Sequence, residues 1–279
     1  EAGQKFETEH QAKLDEVRKM LSDQHVALMA TARSRTARYL LKVATTRADI
    51  NETSIFFLSL LPKQLRPQIV HRWRLLIAAR AKPTDPVFAP WHDLITVRTS
   101  LSQTDLPALD GLLDAWKTRG VDPRLLAAIT LSPPRTVSDV AAIYAKVFQK
   151  AAADEKVPDT DPLRSILAGR TSPPRFPLRQ TWYYMSRKEK DSYRALVRAL
   201  DLLAVKSPQA AARAMTLRDT DELVSPVIFR RGDPTLPGRT VPRRFLEVLA
   251  GPGSAAFANG SGRLDLARAI TSPANPLTA

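Results

Sequence analysis

Five arginines, Arg230, Arg231, Arg239, Arg243 and Arg244, crowd the stretch RRGDPTLPGRTVPRR, in which Asp233 is the one acid. Guanidinium groups form bidentate pairs with carboxylate and phosphate-like oxyanions. A Pro/Gly-rich loop can hold such groups in place before a ligand arrives. These five are therefore the candidate anion-binding residues. The plainer alternative is structural and is the favoured one: Asp233 pairs with an arginine, and the prolines lower the entropy of a loop packed between domains.

Other chemistries find less support. The histidines are His10, His25, His71 and His92, and none lies in a His-x-x-x-His or His-Glu-x-x-His pattern, so no local zinc site is expected. His92-Asp93 could form half of an acid–base pair, although a capping role fits better. Ser261 lies in Asn-Gly-Ser-Gly, which is not the Gly-x-Ser-x-Gly nucleophile elbow, and its glycines suit a turn before a last helix. No glycine-rich phosphate loop is present. Asn51-Glu-Thr53 and Asn259-Gly-Ser261 match glycosylation acceptors without further support. No catalytic residue is assigned, and whether the chain is an enzyme stays open. The absence of cysteine excludes disulfides, Cys-ligated zinc or iron–sulfur sites, and covalently attached c-type haem within these 279 residues.

The charge around the arginine block is uneven. The chain holds 42 Lys+Arg and 28 Asp+Glu, for +14. Residues 164–250 hold 17 and 8 of these, which is +9 of the total. A basic excess of this kind suits an anionic polymer or nucleic acid. No RNA-recognition strand signature, basic zipper or finger accompanies it. Aromatics at 6 % are sparse for base stacking. A solvated or internally paired arginine surface is the simpler reading.

The elements that must position these groups read as helices. Residues 4–46 lack Pro and Gly, and Leu14, Val17, Leu21 and Leu28 fall on one face of a long helix or hairpin, with a break near Thr31–Ser34. NETSIFFLSLL (residues 51–61) reads as a buried helix, too short to span a bilayer. Leu65, Ile69, Trp73, Leu76 and Ile77 mark the next helix, with Trp73 as a core anchor. Residues 83–100, with three prolines, read as a loop and a short turn around Trp91-His92. A helix from about Asp105 to Arg119 carries Leu106, Leu109, Leu113 and Trp116, and Gly120 suits its C′ position. Asp122-Pro123, Thr136-x-x-Asp139 and Ser186-x-x-Glu189 are helix starts. Val140, Ile143, Tyr144 and Val147 form the buried face of the second of these helices. Tyr193, Leu196, Val197, Leu200 and Leu203 form that of the third. This third helix has a basic outer face, and a membrane-surface role for it is disfavoured by the acids that interrupt it. LVSPVIFRR (residues 223–231) is the one strand, held to an edge by Pro226. Short helices follow at 241–249 and 262–270. No internal repeat emerges. The fold class is mainly α: a long N-terminal helix or hairpin, short Pro-delimited helices, and a small irregular C-terminal region with one or two short strands.

The runs ARAMTLRDTDELVSPVIFRRGDPTLPGRTVPRRFLEVLAG (Ala212–Gly251) and FANGSGRLDLARAITSPANPLTA (Phe257–Ala279) resemble a large family of planctomycete-type proteins. These combine an N-terminal cytochrome c-like domain with two domains of unknown function. DPLRSILAGRTSPPRFP (Asp161–Pro177) and SRKEKDSYRALVRALDLLAVKSP (Ser186–Pro208) are similar to the family's lead-in. The resemblance covers roughly residues 160–279. It implies residues 1–155 as a variable helical region. Residues 156–279 would then be a family-like segment that carries the Arg/Pro loop and opens the second domain. It further implies an exported, periplasmic or cell-surface protein. Family haem depends on Cys-x-x-Cys-His, so no cofactor is placed on this chain and haem is implied only for other domains of the parent. No signal peptide opens the segment, and both ends read as cuts in a longer polypeptide.

Three functions follow in order of preference. The first is a non-enzymatic helical interdomain or interaction module whose partners are neighbouring domains of the same chain. The second is a surface for an anion, an acidic polysaccharide or a cell-surface component, contributing to a carbohydrate-related site. The third is nucleic-acid binding. No membrane span is expected.

Overall fold

The computed structural model describes residues 2–49, 52, 64–100, 109–169, 171–210, 217, 219, 223, 225–232 and 237–278. These form two compact units, Glu1–Ala210 and Ala211–Ala279. Residue 155, where the sequence reading ends its first region, lies in the turn after a helix inside the first unit. The described residues hold twelve α-helices and one small two-stranded sheet, so the chain is mainly α as expected.

The first unit begins with α1 (Ala2–Ser34), whose buried side chains include Phe6, Val17, Leu28 and Ala32. Leu14 and Leu21 are half-buried. The helical path breaks at Arg35 (φ −95°, ψ 16°), and α2 (Thr36–Thr45) follows. The expected break near Thr31–Ser34 is thus displaced by one residue. The Phe-rich run 51–61 lies outside the described residues, apart from the buried Glu52. α3 (Pro67–Ala79) buries Ile69, Val70, Trp73 and Ile77.

Residues 83–100 correct the sequence reading. In place of a loop with a short turn, α4 spans Ala89–Ser100. Asp85 starts it: its Oδ1 accepts the N–H groups of Val87 (2.9 Å) and Phe88 (2.7 Å). Pro90 lies in the first turn, where a missing N–H costs no helical bond. Val87, Phe88, Trp91 and Leu94 are buried and hold this segment in the core.

α5 (Leu109–Thr118) ends in a Schellman motif. Gly120 N–H donates to Lys117 O and Val121 N–H donates to Trp116 O, with Gly120 at φ 76°. The expected start of this helix, at 105–108, lies outside the described residues. α6 (Pro123–Leu131) is capped by Asp122, which accepts from Arg124 N. α7 (Val137–Ala153) opens with the expected Thr136/Asp139 capping box. It buries Val140, Tyr144 and Phe148, while Ile143 and Val147 are half-buried.

α7 is the hub, packing against α2, α4, α6 and α8 (Arg164–Ala168). Its Tyr144 meets the Trp91 ring edge-on at 5.2 Å and the Phe148 ring at 5.7 Å. Phe148 stacks on Trp73 at 6.3 Å. The Tyr144 hydroxyl donates to Val87 O at 2.9 Å, so the buried phenol keeps a partner.

After α9 (Thr181–Tyr184), α10 (Arg187–Lys206) starts at the Ser186/Glu189 capping box and packs along α1. Tyr193, Leu196, Val197, Leu200 and Leu203 are half-buried, because the helix is covered along one side.

In the second unit, β1 (Val227–Phe229) pairs antiparallel with β2 (Pro237–Thr240), with Val227 opposite Thr240 and Phe229 opposite Pro237. Pro226 directly precedes the strand, where its missing donor is harmless. α11 is one turn, Glu247–Ala250, and α12 spans Arg263–Ile270. No apolar side chain of this unit is buried among the described residues.

Candidate anion-binding hairpin

The β1–β2 hairpin gathers part of the arginine block. Arg230 and Arg231 form a single 3-10 turn with Gly232 directly after β1. Arg231 sits at φ 54°, in the left-handed region that side-chain-bearing residues rarely occupy. Arg239 lies on β2. Strand pairing is close here: a Cβ on Gly238 would stand 2.8 Å from Ile228 O and 3.6 Å from Arg230 Cγ. Glycine therefore permits the close pairing of β1 with β2. Arg244 follows β2 and, like Arg230, Arg231 and Arg239, is exposed. None of the five forms an ion pair with a described residue. Asp233, the expected intramolecular partner, lies outside those residues.

Arg243 has a different place. It is half-buried, and its Nη1 donates to Ser261 O at 3.3 Å. Ser261 belongs to a turn built by two carboxylates. Asp219 accepts from Ser261 N–H at 2.7 Å, from the Ser261 hydroxyl, and from Arg263 Nη1 at 3.1 Å. Asp265 accepts from Ala258 N–H, Asn259 N–H and Asn259 Nδ2 (2.7 Å). Both carboxyls titrate below their usual range: Asp219 mainly through the Ser261 hydroxyl, Asp265 mainly through the Asn259 amide. Gly262 at φ 81° then starts α12. This cluster shapes a turn.

His92 and His25 are engaged within the first unit. His92 Nε2 lies 3.3 Å from Ile77 O, while Asp93 accepts from Trp116 Nε1 (2.8 Å) and Arg119 Nη1 (2.9 Å). His25 stacks on Phe176 at 5.3 Å, and burial lowers its pKa. No group of three His, Cys, Asp or Glu among the described residues could hold a metal.

In the first unit most arginines are engaged by the fold. Arg66 bonds both oxygens of Glu189 (3.0 and 3.1 Å). Arg74 grips Glu52 and carbonyls past the end of α2. Arg124 bridges Asp122 and Asp161, which holds the guanidinium well above its ordinary pKa.

Two features escaped sequence reasoning. A groove lined by Lys117, Val121, Leu126 and Leu131 runs beside α5 and α6. A cavity of about 370 Å³ lies between α3 and α8. Both arise from contacts between distant segments, which no local pattern reports.

Fold and hairpin together define a helical protein with a small, basic, hairpin-bearing second unit. No family model, curated protein or solved structure matches the chain.

Proposed function

We propose that the chain is a non-enzymatic helical module that joins and positions neighbouring domains of a larger exported polypeptide. The planctomycete-type resemblance motivates the multidomain and exported setting, with haem confined to other domains. The observation that carries the module reading is the state of the second unit. Ile228, Phe229, Leu246, Val248, Leu264 and Leu277 are exposed, Val248 to 87 % and Leu277 to 76 %. Burying one such side chain fully is worth about 1.5–3 kcal/mol. Clustered exposed apolar groups mark interaction surfaces. Hydrogen exchange of residues 211–279, measured in the chain alone and in its parent polypeptide, tests this. Protection should rise in the parent. Equal protection, or a parent gene without adjoining domains, overturns it.

A second reading is anion binding at the hairpin, favoured by four exposed arginines with no ion pair to a described residue. It predicts retention on heparin that falls steeply with salt. Replacing Arg230, Arg231, Arg239, Arg243 and Arg244 by Ala should abolish that retention; unchanged retention refutes the reading. Nucleic acid remains the third possibility and would follow the same salt dependence.

A further inference from the structure

We propose that Asn259-Gly260 is a site of spontaneous covalent modification, at which Asn259 cyclises to a succinimide, and that Asp265 holds this reaction in check. In the first step the Gly260 backbone nitrogen gives its proton to hydroxide or a buffer base and bonds to Asn259 Cγ. The Cγ–Nδ2 bond breaks, and Nδ2 takes up a proton and leaves as ammonia. Water then opens the ring at one of its two carbonyls, which yields aspartate or isoaspartate. The inference is independent of both functional readings above.

The nucleophile is open to attack its neighbour. Asn259 and Gly260 are both exposed. Gly260 N–H donates to no acceptor among the described residues, although the N–H groups on either side do. Asn259 N–H donates to Asp265 at 3.0 Å and Ser261 N–H to Asp219 at 2.7 Å. Gly260 has φ 53°, and a Cβ there would collide with Asp219 Oδ2, so the turn requires glycine. The same missing side chain leaves the Gly260 nitrogen unshielded toward Asn259.

Asp265 opposes the reaction at the leaving group. Its Oδ1 accepts from Asn259 Nδ2 at 2.7 Å, and its Oδ2 accepts the N–H groups of Ala258 (3.1 Å) and Asn259 (3.0 Å). The carboxyl titrates below its usual range mainly through the Asn259 amide, so it is ionised at neutral pH. Cyclisation must carry Cγ onto the Gly260 nitrogen and expel Nδ2, and the charge-assisted bond to Asp265 is lost with it. The negative charge of Asp265 also disfavours the anion that forms at the Gly260 nitrogen. The product carries a carboxylate in place of the amide that Asp265 binds. Two like charges then meet where a hydrogen bond stood, which drives Asp265 off the Ala258 and Asn259 N–H groups and opens the turn before α12.

The test is peptide mapping by mass spectrometry of the full chain, incubated at pH 8 in buffer and in concentrated guanidinium chloride. Asn259 should convert in guanidinium chloride and about tenfold or more slowly in buffer, as expected when one hydrogen bond to a charged group must be given up. Asp265→Ala removes the acceptor, and its rate in buffer should approach the rate in guanidinium chloride. Asp219→Ala opens the turn at Ser261 and Arg263 but leaves all three Asp265 contacts, and should convert like the wild type. Asn259→Gln would need a six-membered ring and serves as the unreactive control. In the converted wild-type chain, hydrogen exchange at the Ala258 and Asn259 amides should quicken. The proposal is overturned if Asn259 does not convert in guanidinium chloride, or if the wild type converts equally fast in both solvents. It is equally overturned if Asp265→Ala stays as slow as the wild type. An Asp219→Ala rate as high as that of Asp265→Ala would overturn it too, because general order of the turn, rather than the Asp265 bond, would then be the guard.

Discussion

Arg74→Met should unfold the first unit more easily than any change of surface charge, and the size of the effect follows from its contacts. Arg74 Nε and Nη2 bond Glu52 at 2.7 and 3.0 Å. Its Nη groups also reach Val43 O (3.2 Å), Thr46 O (2.7 Å), Thr46 Oγ1 (2.8 Å) and Arg47 O (2.9 Å). One guanidinium thus closes the end of α2 and anchors Glu52. The side chains are 15 % and 5 % exposed, so this is a largely desolvated pair. Removing one member of such a pair costs about 3–5 kcal/mol, because the other is left buried and unpaired. With a urea slope of about 2 kcal/mol/M, the midpoint should fall by roughly 1.5–2.5 M.

Tryptophan fluorescence is a clean reporter for this experiment. The four tryptophans, Trp73, Trp91, Trp116 and Trp182, all lie in the first unit. The signal therefore follows that unit alone, and two-state treatment is not confused by the other. Pairing Arg74→Met with Glu52→Gln should recover part of the loss, since the stranded charge is gone. Arg74→Lys should fall between, keeping a cation but not the fork. A midpoint shift under about 0.3 M for Arg74→Met, on that same slope, would refute the reasoning. So would a double variant no more stable than the single one.

Further changes test other levels of the structure. Tyr144→Phe removes the donor to Val87 O in the core and should cost about 1–2 kcal/mol in the same denaturation assay. Gly120→Ala meets no steric obstacle, yet φ 76° in the Schellman turn should make it cost about 1 kcal/mol. His25 and His71 both titrate below 6.5, with burial as the main cause. The unfolded chain then binds more protons than the folded one as pH falls through 6.5, so stability is full above that pH and declines below it. Urea midpoints at pH 7.5 and 5.5 should show the decline, and NMR titration should place both histidines below 6.5.

The features legible in the sequence were those whose partners are close in the chain. Asp122-Pro123, the Thr136/Asp139 box, the Ser186/Glu189 box and Gly120 all act within a few residues, and each forms as expected. Residues 83–100 depart from expectation for a local reason too: Pro90 falls in the first turn of α4, which tolerates proline. Phe148 was missed because the α7 stripe turns slightly from the expected face. Longer-range partners had no signature. Arg66 flanks a helix in sequence, but nothing there shows that it meets Glu189, 123 positions away. The buried Ser172 hydroxyl, with no hydrogen-bond partner among the described residues, is likewise a property of what tertiary packing leaves beside it. Of the candidate hairpin, the residues were legible and their division was not: Arg243 turns toward Ser261, while Arg230, Arg231, Arg239 and Arg244 stay exposed.

That division changes what the net charge of +14 can do. Arg66, Arg74 and Arg164 are 16 %, 15 % and 14 % exposed and each holds a carboxylate. Releasing Arg74 or Arg66 would strand the buried Glu52 or the partly buried Glu189, which costs more than a phosphate contact returns. At the hairpin the exposed set is Arg230, Arg231, Arg239 and Arg244, with Arg243 half-buried. A nucleic acid bound there would make about four or five phosphate contacts, and log K would fall with log salt at a slope of about −3.6 to −4.5 for duplex DNA. A slope near −10 would require about eleven contacts, so basic residues beyond the hairpin would have to take part.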